Sequence, residues 1–334
     1  MRRVRWTVSA VLGLVALGCV EPVPDDGFER REGLFRVVIL PDTQCYARRF
    51  PEILEAQGDW VAASVDDLDI RMVVHLGDIT DTNDAAEWEV ARGALAPILD
   101  RVPLALSPGN HDLGAGGSAA DRSSMLAAFF PLDAMAAAPG FVESYGGTPG
   151  NTAWLFSGEL HEYVWIGVEF APRDDVVTWV RDVLAAHPDR IGIVSTHAYL
   201  DAAGRRYDHT DSTVQEFCPY EYGVSAVDGN DGEELFTAAI APSPNARMVW
   251  SGHVPNGFAY AADVNGAGSE VHQVMADYQT GTRCPETGGD GNGFLLVLEI
   301  EEQEASVSVR VRSYSPWLGQ HREDHEVTFT IAPP

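Results

Sequence analysis

Five short apolar runs in this chain stop in the same way, each handing over to a residue that can bind a cation or a phosphate. Val73-Val74-His75-Leu76 ends at Gly77 and presents Asp78, with Asp81 three residues on. Val37 to Leu40 leads into Pro41-Asp42-Thr43-Gln44, and Val102 to Leu106 into Ser107-Pro108-Gly109-Asn110-His111-Asp112. Ile191 to Val194 leads into Ser195-Thr196-His197, and Arg247 to Trp250 into Ser251-Gly252-His253. An apolar run of this length bounded by turn formers reads as a buried strand. Open α/β sheets aim their chemistry from the carboxyl ends of such strands. A single aspartate after a strand is ordinarily a turn former, and a single histidine a satisfied polar residue. A whole series at successive strand ends points instead to a shared site.

The spacing between the runs supports that architecture. After Pro51, residues Ile53, Leu54, Trp60, Val61 and Val65 fall near helical spacing, and Pro51 suits a first turn. A second helix is predicted from near Asn83, with Trp88, Ala91, Leu95 and Ile98 on one side and Pro97 ending or kinking it. The resulting β-α-β-α-β order implies a mostly parallel sheet with right-handed crossovers. Residues 114–150, rich in Gly, Ala and Pro, read as an insertion with one helix near 119–130. Residues 152–156 and 163–168 form a strand pair, and Val176, Trp179, Val180, Val183 and Leu184 a helical stripe. Alternation over 294–300, 306–311 and 326–331 predicts antiparallel strands forming a second sheet packed on the first. No low-complexity linker separates Asp42 from His253, so residues 34–334 read as one domain.

Gly77-Asp78-x-x-Asp81 followed by Gly109-Asn110-His111-Asp112, with His197 and Gly252-His253 downstream, resembles the calcineurin-like metallophosphoesterase superfamily. The match is to a secreted bacterial branch that opens with Leu40-Pro41-Asp42-Thr43-Gln44 in place of Asp-x-His. The resemblance implies an α/β fold, a four-layer α/β/β/α sandwich with two mixed β-sheets. It also implies two divalent ions of the Mn, Fe or Zn kind, which suit carboxylate, imidazole and amide donors. By this likeness Asp78 bridges the two ions, Asp42 binds the first, and Asn110, His197 and His253 bind the second. His111 stands beside the phosphoryl group and assists the leaving oxygen, while Asp81 and Asp112 orient ligands or His111. The implied reaction is hydrolysis of a phosphate mono- or diester by attack of metal-held hydroxide. Two departures matter. Gln44 replaces the opening histidine, and Pro255 stands where Gly-His-x-His has its second imidazole, with Asn256 as a substitute oxygen donor one residue on. A weak or harder-ion-preferring first site follows, with Gln44 as a further candidate ligand. The rival reading is a catalytically impaired, surface-anchored metal- or ligand-binding protein of the same fold. Asp277, Tyr278 and Gln279 are candidate substrate contacts. Purple acid phosphatases are disfavoured, because they place Tyr where Asp81 stands.

Residues 1–19 read as a targeting segment: Arg2, Arg3 and Arg5 precede an apolar stretch too short for a typical spanning helix. Ala16-Leu17-Gly18-Cys19 resembles a lipoprotein cleavage box, although ordinary cleavage after Gly18 also fits. Export to the periplasm or the outer-membrane surface is the expectation, with residues 20–33 as a tether and membrane attachment only through a lipid on Cys19. The net charge of −28, with arginine as the sole basic residue type, argues against a nucleic-acid surface patch. It leaves room for a small phosphorylated substrate, since bound divalent ions invert the local field. In an oxidising compartment Cys218 and Cys284 are expected to pair, leaving Cys45 as a small buried hydrophobe.

Overall fold

Strands β1 (Leu34–Leu40), β2 (Ile70–His75) and β3 (Leu104–Leu106) lie side by side and parallel. Every residue of β1 is buried, as a strand covered on both faces requires. The computed structural model describes residues 26–99, 101–255, 257–279 and 292–334. Helices α1 (Gln44–Arg49), α2 (Pro51–Ser64) and α3 (Ala85–Leu99) make the crossovers. Pro51 occupies the first turn of α2 as predicted. Pro97 does not end α3, which runs two residues further. Its missing N–H removes one backbone bond, to the carbonyl four residues earlier, and the buried Trp88, Ala91, Leu95 and Ile98 face keeps the last turn helical.

The insertion holds two short helices, α4 (Leu126–Phe129) and α5 (Leu132–Ala136), where a single helix from 119 was expected. Strand β4 (Phe141–Ser144) then begins the second sheet. It is continued by β5 (Thr152–Ser157), β6 (Glu162–Gly167), β7 (Ile191–Ser195), β8 (Ala246–Ser251), β9 (Phe258–Val264) and β10 (Glu270–Ala276). Helix α6 (Asp174–Ala186) carries its Val176–Leu184 stripe against this sheet, with Asp174 and Asp175 at its positive end.

The C-terminal strands β11 (Leu295–Gln303), β12 (Ser306–Ser315) and β13 (Gln320–Ile331) are antiparallel as expected, but they do not form the second sheet. They extend the first, in the order β13-β12-β11-β1-β2-β3, while the second runs β4-β5-β6-β7-β8-β10-β9. Strand β11 pairs with β1 from Leu34↔Glu301 to Ile39↔Leu296, covering an edge that would otherwise be open. Both sheets are mixed. Between them one core joins Val37, Val73 and Leu298 to Trp165, Ile193 and Met248, each fully buried, and such aliphatic side chains contribute about 1.5–3 kcal/mol apiece. With α2 and α3 outside one sheet and α6 outside the other, the architecture is the α/β/β/α sandwich.

Two further expectations change. Phe28, assigned to the tether, is buried against Trp60, Tyr314 and His321, because an aromatic side chain this close to the domain gains by joining its core. Cys218 is a buried free thiol and Cys45 is the disulfide-bonded one, its partner lying outside the described residues, as do residues 1–25 and Cys284. Cys45 sits in α1 beside the strand-end loops, a position its local sequence does not reveal.

Candidate metal centre

The parallel strands of both sheets deliver their carboxyl ends to one rim. Asp42 and Gln44 follow β1, Asp78 follows β2, and Asn110 and His111 follow β3. From the other sheet, His197 follows β7, His253 follows β8 and Asp277 follows β10. Asp42, Asp78 and His253 take positive φ angles of 38°, 48° and 84°. Such strain in non-glycine residues persists where the surroundings dictate it, and it gathers at functional sites. Backbone closes directly on the carboxylates: a Cβ on Gly252 would lie 2.1 Å from Asp42 Oδ2, and one on Gly109 2.2 Å from Asp78 Oδ1.

Two imidazoles face each other with their outer nitrogens already committed. His197 Nδ1 donates to Leu76 O at 2.9 Å and His253 Nε2 donates to Phe217 O at 2.7 Å. Those bonds fix the tautomers. They leave His197 Nε2 and His253 Nδ1 3.1 Å apart as lone-pair donors. His197 Nε2 is also 3.1 Å from Asn110 Oδ1 and 3.3 Å from Asp78 Oδ1. Ligand atoms of Asp78, His197 and His253 all lie within 4.8 Å of one another. Four acceptors converge on one point, an arrangement that only a cation or a proton satisfies. Burial alone would lower the His197 pKa, but Asp78 outweighs it and the value is raised. His253, buried beside that charge, is pushed down to about 3. Burial would raise Asp78, yet the imidazoles of His197 and His111 hold its carboxyl below the usual range.

Beside this cluster lies a second acidic centre. Asp42, Asp78 and Asp277 are at most 2% exposed, and no arginine pairs with them among the described residues. Burial, then Asp277 and Asp78, push Asp42 well above the carboxylate range, and burial foremost brings Asp277 to about 7. Gln44 Nε2 donates to Asp78 Oδ2 at 3.1 Å and to Gln279 Oε1, while Gln44 Oε1 is buried with no hydrogen-bond partner among the described residues.

The remaining candidates divide. His111 donates Nδ1–H to Asp81 O at 2.8 Å, and its side chain is 37% exposed, the most open of the site's imidazoles. Burial would lower its pKa, but Asp78 and the Asp81 carbonyl raise it. The Asp81 carboxylate pairs with Arg48. Asp112 accepts from Gly109 N, Ile79 N, Thr80 N and Thr80 Oγ1 at 2.8–3.0 Å, locking the loops after β2 and β3 together rather than touching His111. Tyr278 turns away into the core, where its hydroxyl meets Ser313 Oγ at 2.5 Å, so it is not positioned as a substrate contact. Asn256 lies outside the described residues. No motif marked the Phe217 carbonyl, or Tyr222, whose ring is 5.9 Å from His253.

A family model for calcineurin-like phosphoesterases matches residues 35–256. This chain belongs to that family. A curated relative, the uncharacterized protein YvnB of Bacillus subtilis, is 28% identical over 307 residues, which is 89% of this chain and 21% of the relative. The chain thus spans about a fifth of that relative's length. Among solved structures, the purple acid phosphatase PPD1 from yellow lupin (Lupinus luteus) seeds is similar with a TM-score of 0.53 and 13% identity, covering 90% of this chain and 54% of that one. The calcineurin-like phosphoesterase YfkN from Bacillus subtilis has a TM-score of 0.40 and 11% identity, covering 90% of each chain. At such identities the likeness is one of fold.

The divalent metals implied by the calcineurin-like family fit the donors present: lone pairs and carboxylates converge where a cation alone balances them. A second cluster of this family member, Asp208, His209 and Asp231, lacks that property. Asp208 and His209 are open to solvent there, and the His209 ring itself donates to Asp231, so no buried set of lone pairs is left for a cation to balance.

Proposed function

We propose that this chain is a divalent-metal-dependent phosphoesterase that hydrolyses a small phosphate mono- or diester, exported and held at the membrane by a lipid on Cys19. The observation that carries this reading is the meeting of His197 Nε2, His253 Nδ1, Asn110 Oδ1 and Asp78 Oδ1 with no donor among them. Asp78, Asn110, His197 and His253 would hold one ion, and Asp42 and Asp78 another. Bound divalent ions supply Lewis-acid stabilisation of phosphoryl charge and make water a better nucleophile.

The protein's own contribution is positioning and one proton. By accepting Nδ1–H of His197 and Nε2–H of His253, the carbonyls of Leu76 and Phe217 turn the lone-pair nitrogen of each ring toward the site. Asp112 fixes the two loops that carry Asp78, Asn110 and His111. With Nδ1–H held by the Asp81 carbonyl, His111 turns Nε2 outward and can protonate a leaving alkoxide or phenoxide there. Turnover of p-nitrophenyl phosphate and bis-p-nitrophenyl phosphate with added Mn²⁺ tests the reading. Wild-type hydrolysis with a 10²–10⁴-fold lower kcat for His111→Ala is the expected result. Equal, negligible rates in both, with metal still bound, would instead favour a binding protein that has lost hydrolysis. Palmitate labelling that disappears in Cys19→Ala tests the anchor.

A further inference from the structure

Pro255 removes a ligand from the loop after β8, and the neighbouring strand offers a replacement at the same rim. Strand β10 runs parallel to β8, in register from His272↔Met248 to Met275↔Ser251. The residue that follows β10 therefore stands level with the loop after β8. That residue is Asp277, whose amide donates to Gly257 O at 2.9 Å, two residues past Pro255. Its carboxylate is fully buried and has no arginine partner among the described residues. Gln279 N donates to Oδ1 at 2.7 Å and Gln279 Nε2 to Oδ2 at 3.1 Å, so the carboxylate is aimed by its own turn. Gln279 Oε1 meets Gln44 Nε2, which also contacts Asp78 Oδ2, so the Asp277 turn is wired to the ligand shared by both sites.

We propose that Asp277 takes the ligand position vacated at Pro255, making the first site an all-oxygen site of Asp42, Asp78 and Asp277 with the unpartnered Gln44 oxygen beside it. The two sites then differ in kind. One has two imidazoles and suits a borderline ion such as Zn²⁺; the other has only carboxylate and amide oxygens and selects a hard ion such as Mn²⁺ or Mg²⁺. This rests on the metal-site reading above and adds to it a ligand and a selectivity.

The test uses purified full-length mature protein stripped of metal, reloaded with Mn²⁺, Mg²⁺ or Zn²⁺, and assayed by elemental analysis and titration calorimetry. Wild type is expected to hold two ions, one of them replaceable by Mg²⁺. Asp277→Asn, nearly the same shape, is expected to keep the imidazole-bound ion and to bind Mn²⁺ about 100-fold or more weakly at the other site, since even supporting partners of ligands are worth 10–100-fold. The rise in its melting temperature on adding Mn²⁺ should shrink. Gln279→Ala should weaken the same ion by a smaller factor. Two ions of wild-type affinity in Asp277→Asn would overturn the proposal and leave the phosphoesterase reading standing. A wild type that binds no metal would sink that reading and this proposal together, and a single ion untouched by Asp277→Asn would sink this proposal alone.

Discussion

Gly109→Ala isolates the tightest packing in the centre. A Cβ there would lie 2.2 Å from both Asp78 N and Asp78 Oδ1, and 2.9 Å from Cγ. Real Cβ atoms essentially never approach below 3.0 Å, so Asp78 must retreat by about 0.8 Å. Little else can yield. Asp112 holds Gly109 N at 2.9 Å and Ile79 N at 3.0 Å, tying both sides of the contact to one buried carboxylate. The stability cost of such overpacking is about 1–3 kcal/mol. Function should suffer more, since a misplacement of about 1 Å at a reacting centre costs roughly 10²-fold. The assay is kcat/KM on bis-p-nitrophenyl phosphate with Mn²⁺, alongside Mn²⁺ affinity and a urea melt. Gly93→Ala is the control: it lies in α3 with nothing within 4 Å of the added carbon, and should gain about 0.5–1 kcal/mol with unchanged metal binding. A Gly109→Ala protein with wild-type metal affinity and kcat/KM would refute the claim that Asp78 is held in place by that contact.

Three other predictions follow from the same coordinates. In metal-free protein Asp277 keeps its proton to about pH 7 when folded but only to about 3.8 when unfolded. Wild type should therefore lose about 1.4 kcal/mol per pH unit relative to Asp277→Asn as pH rises from 4 to 7, a gap read by parallel melts; a gap that narrows with rising pH contradicts the assignment. Phe28→Ala should cost about 3–5 kcal/mol in urea, since the ring is buried against Trp60 and Tyr314 with the Arg312 guanidinium 4.3 Å away; a loss below 0.5 kcal/mol would return residue 28 to a tether. Alkylation followed by peptide mapping should modify Cys218 without reductant, but only after unfolding, and Cys45 only after reduction; prompt labelling of Cys45 in native, unreduced protein would contradict the bonding seen.

What the sequence disclosed was local punctuation: an apolar run, a short stretch of Gly, Pro, Ser or Thr, then a donor. Asp42, Asp78, Asn110, His197 and His253 share that pattern, and all five meet at the rim. Asp277 follows a strand as well, but His272 and Gln273 interrupt its apolar run, and it comes after an antiparallel hairpin partner, β9, so the strand–helix alternation that marked the others was absent. Its neighbour Tyr278 misled for a related reason. Alternation sends adjacent residues to opposite sides, so Asp277 and Gln279 share the site while Tyr278 packs inward. The destination of β11 to β13 was illegible because alternation identifies an antiparallel strand without naming its partner. Pairing of Leu34 with Glu301 is a contact across nearly the whole chain.

The centre belongs to neither sheet alone. The strand ends of β1, β2 and β3 supply Asp42, Asp78 and Asn110, and those of β7, β8 and β10 supply His197, His253 and Asp277. Hydrogen bonds lace the halves together, among them His197 Nδ1 donating to Leu76 O and His253 N donating to Asp42 Oδ1 at 3.1 Å. No local segment can therefore assemble the proposed cation sites before the sheets have packed face to face. Binding free energy then acts on the sheet-to-sheet arrangement as a whole, stabilising it by an amount that grows with the logarithm of free metal concentration. In the metal-free state the same burial pushes the proton affinity of Asp42 and Asp277 up, so a cation binding there competes with protons. Ion affinity, in this reading, falls as pH falls and is set by the same packing of sheet on sheet that buries Asp42, Asp78 and Asp277.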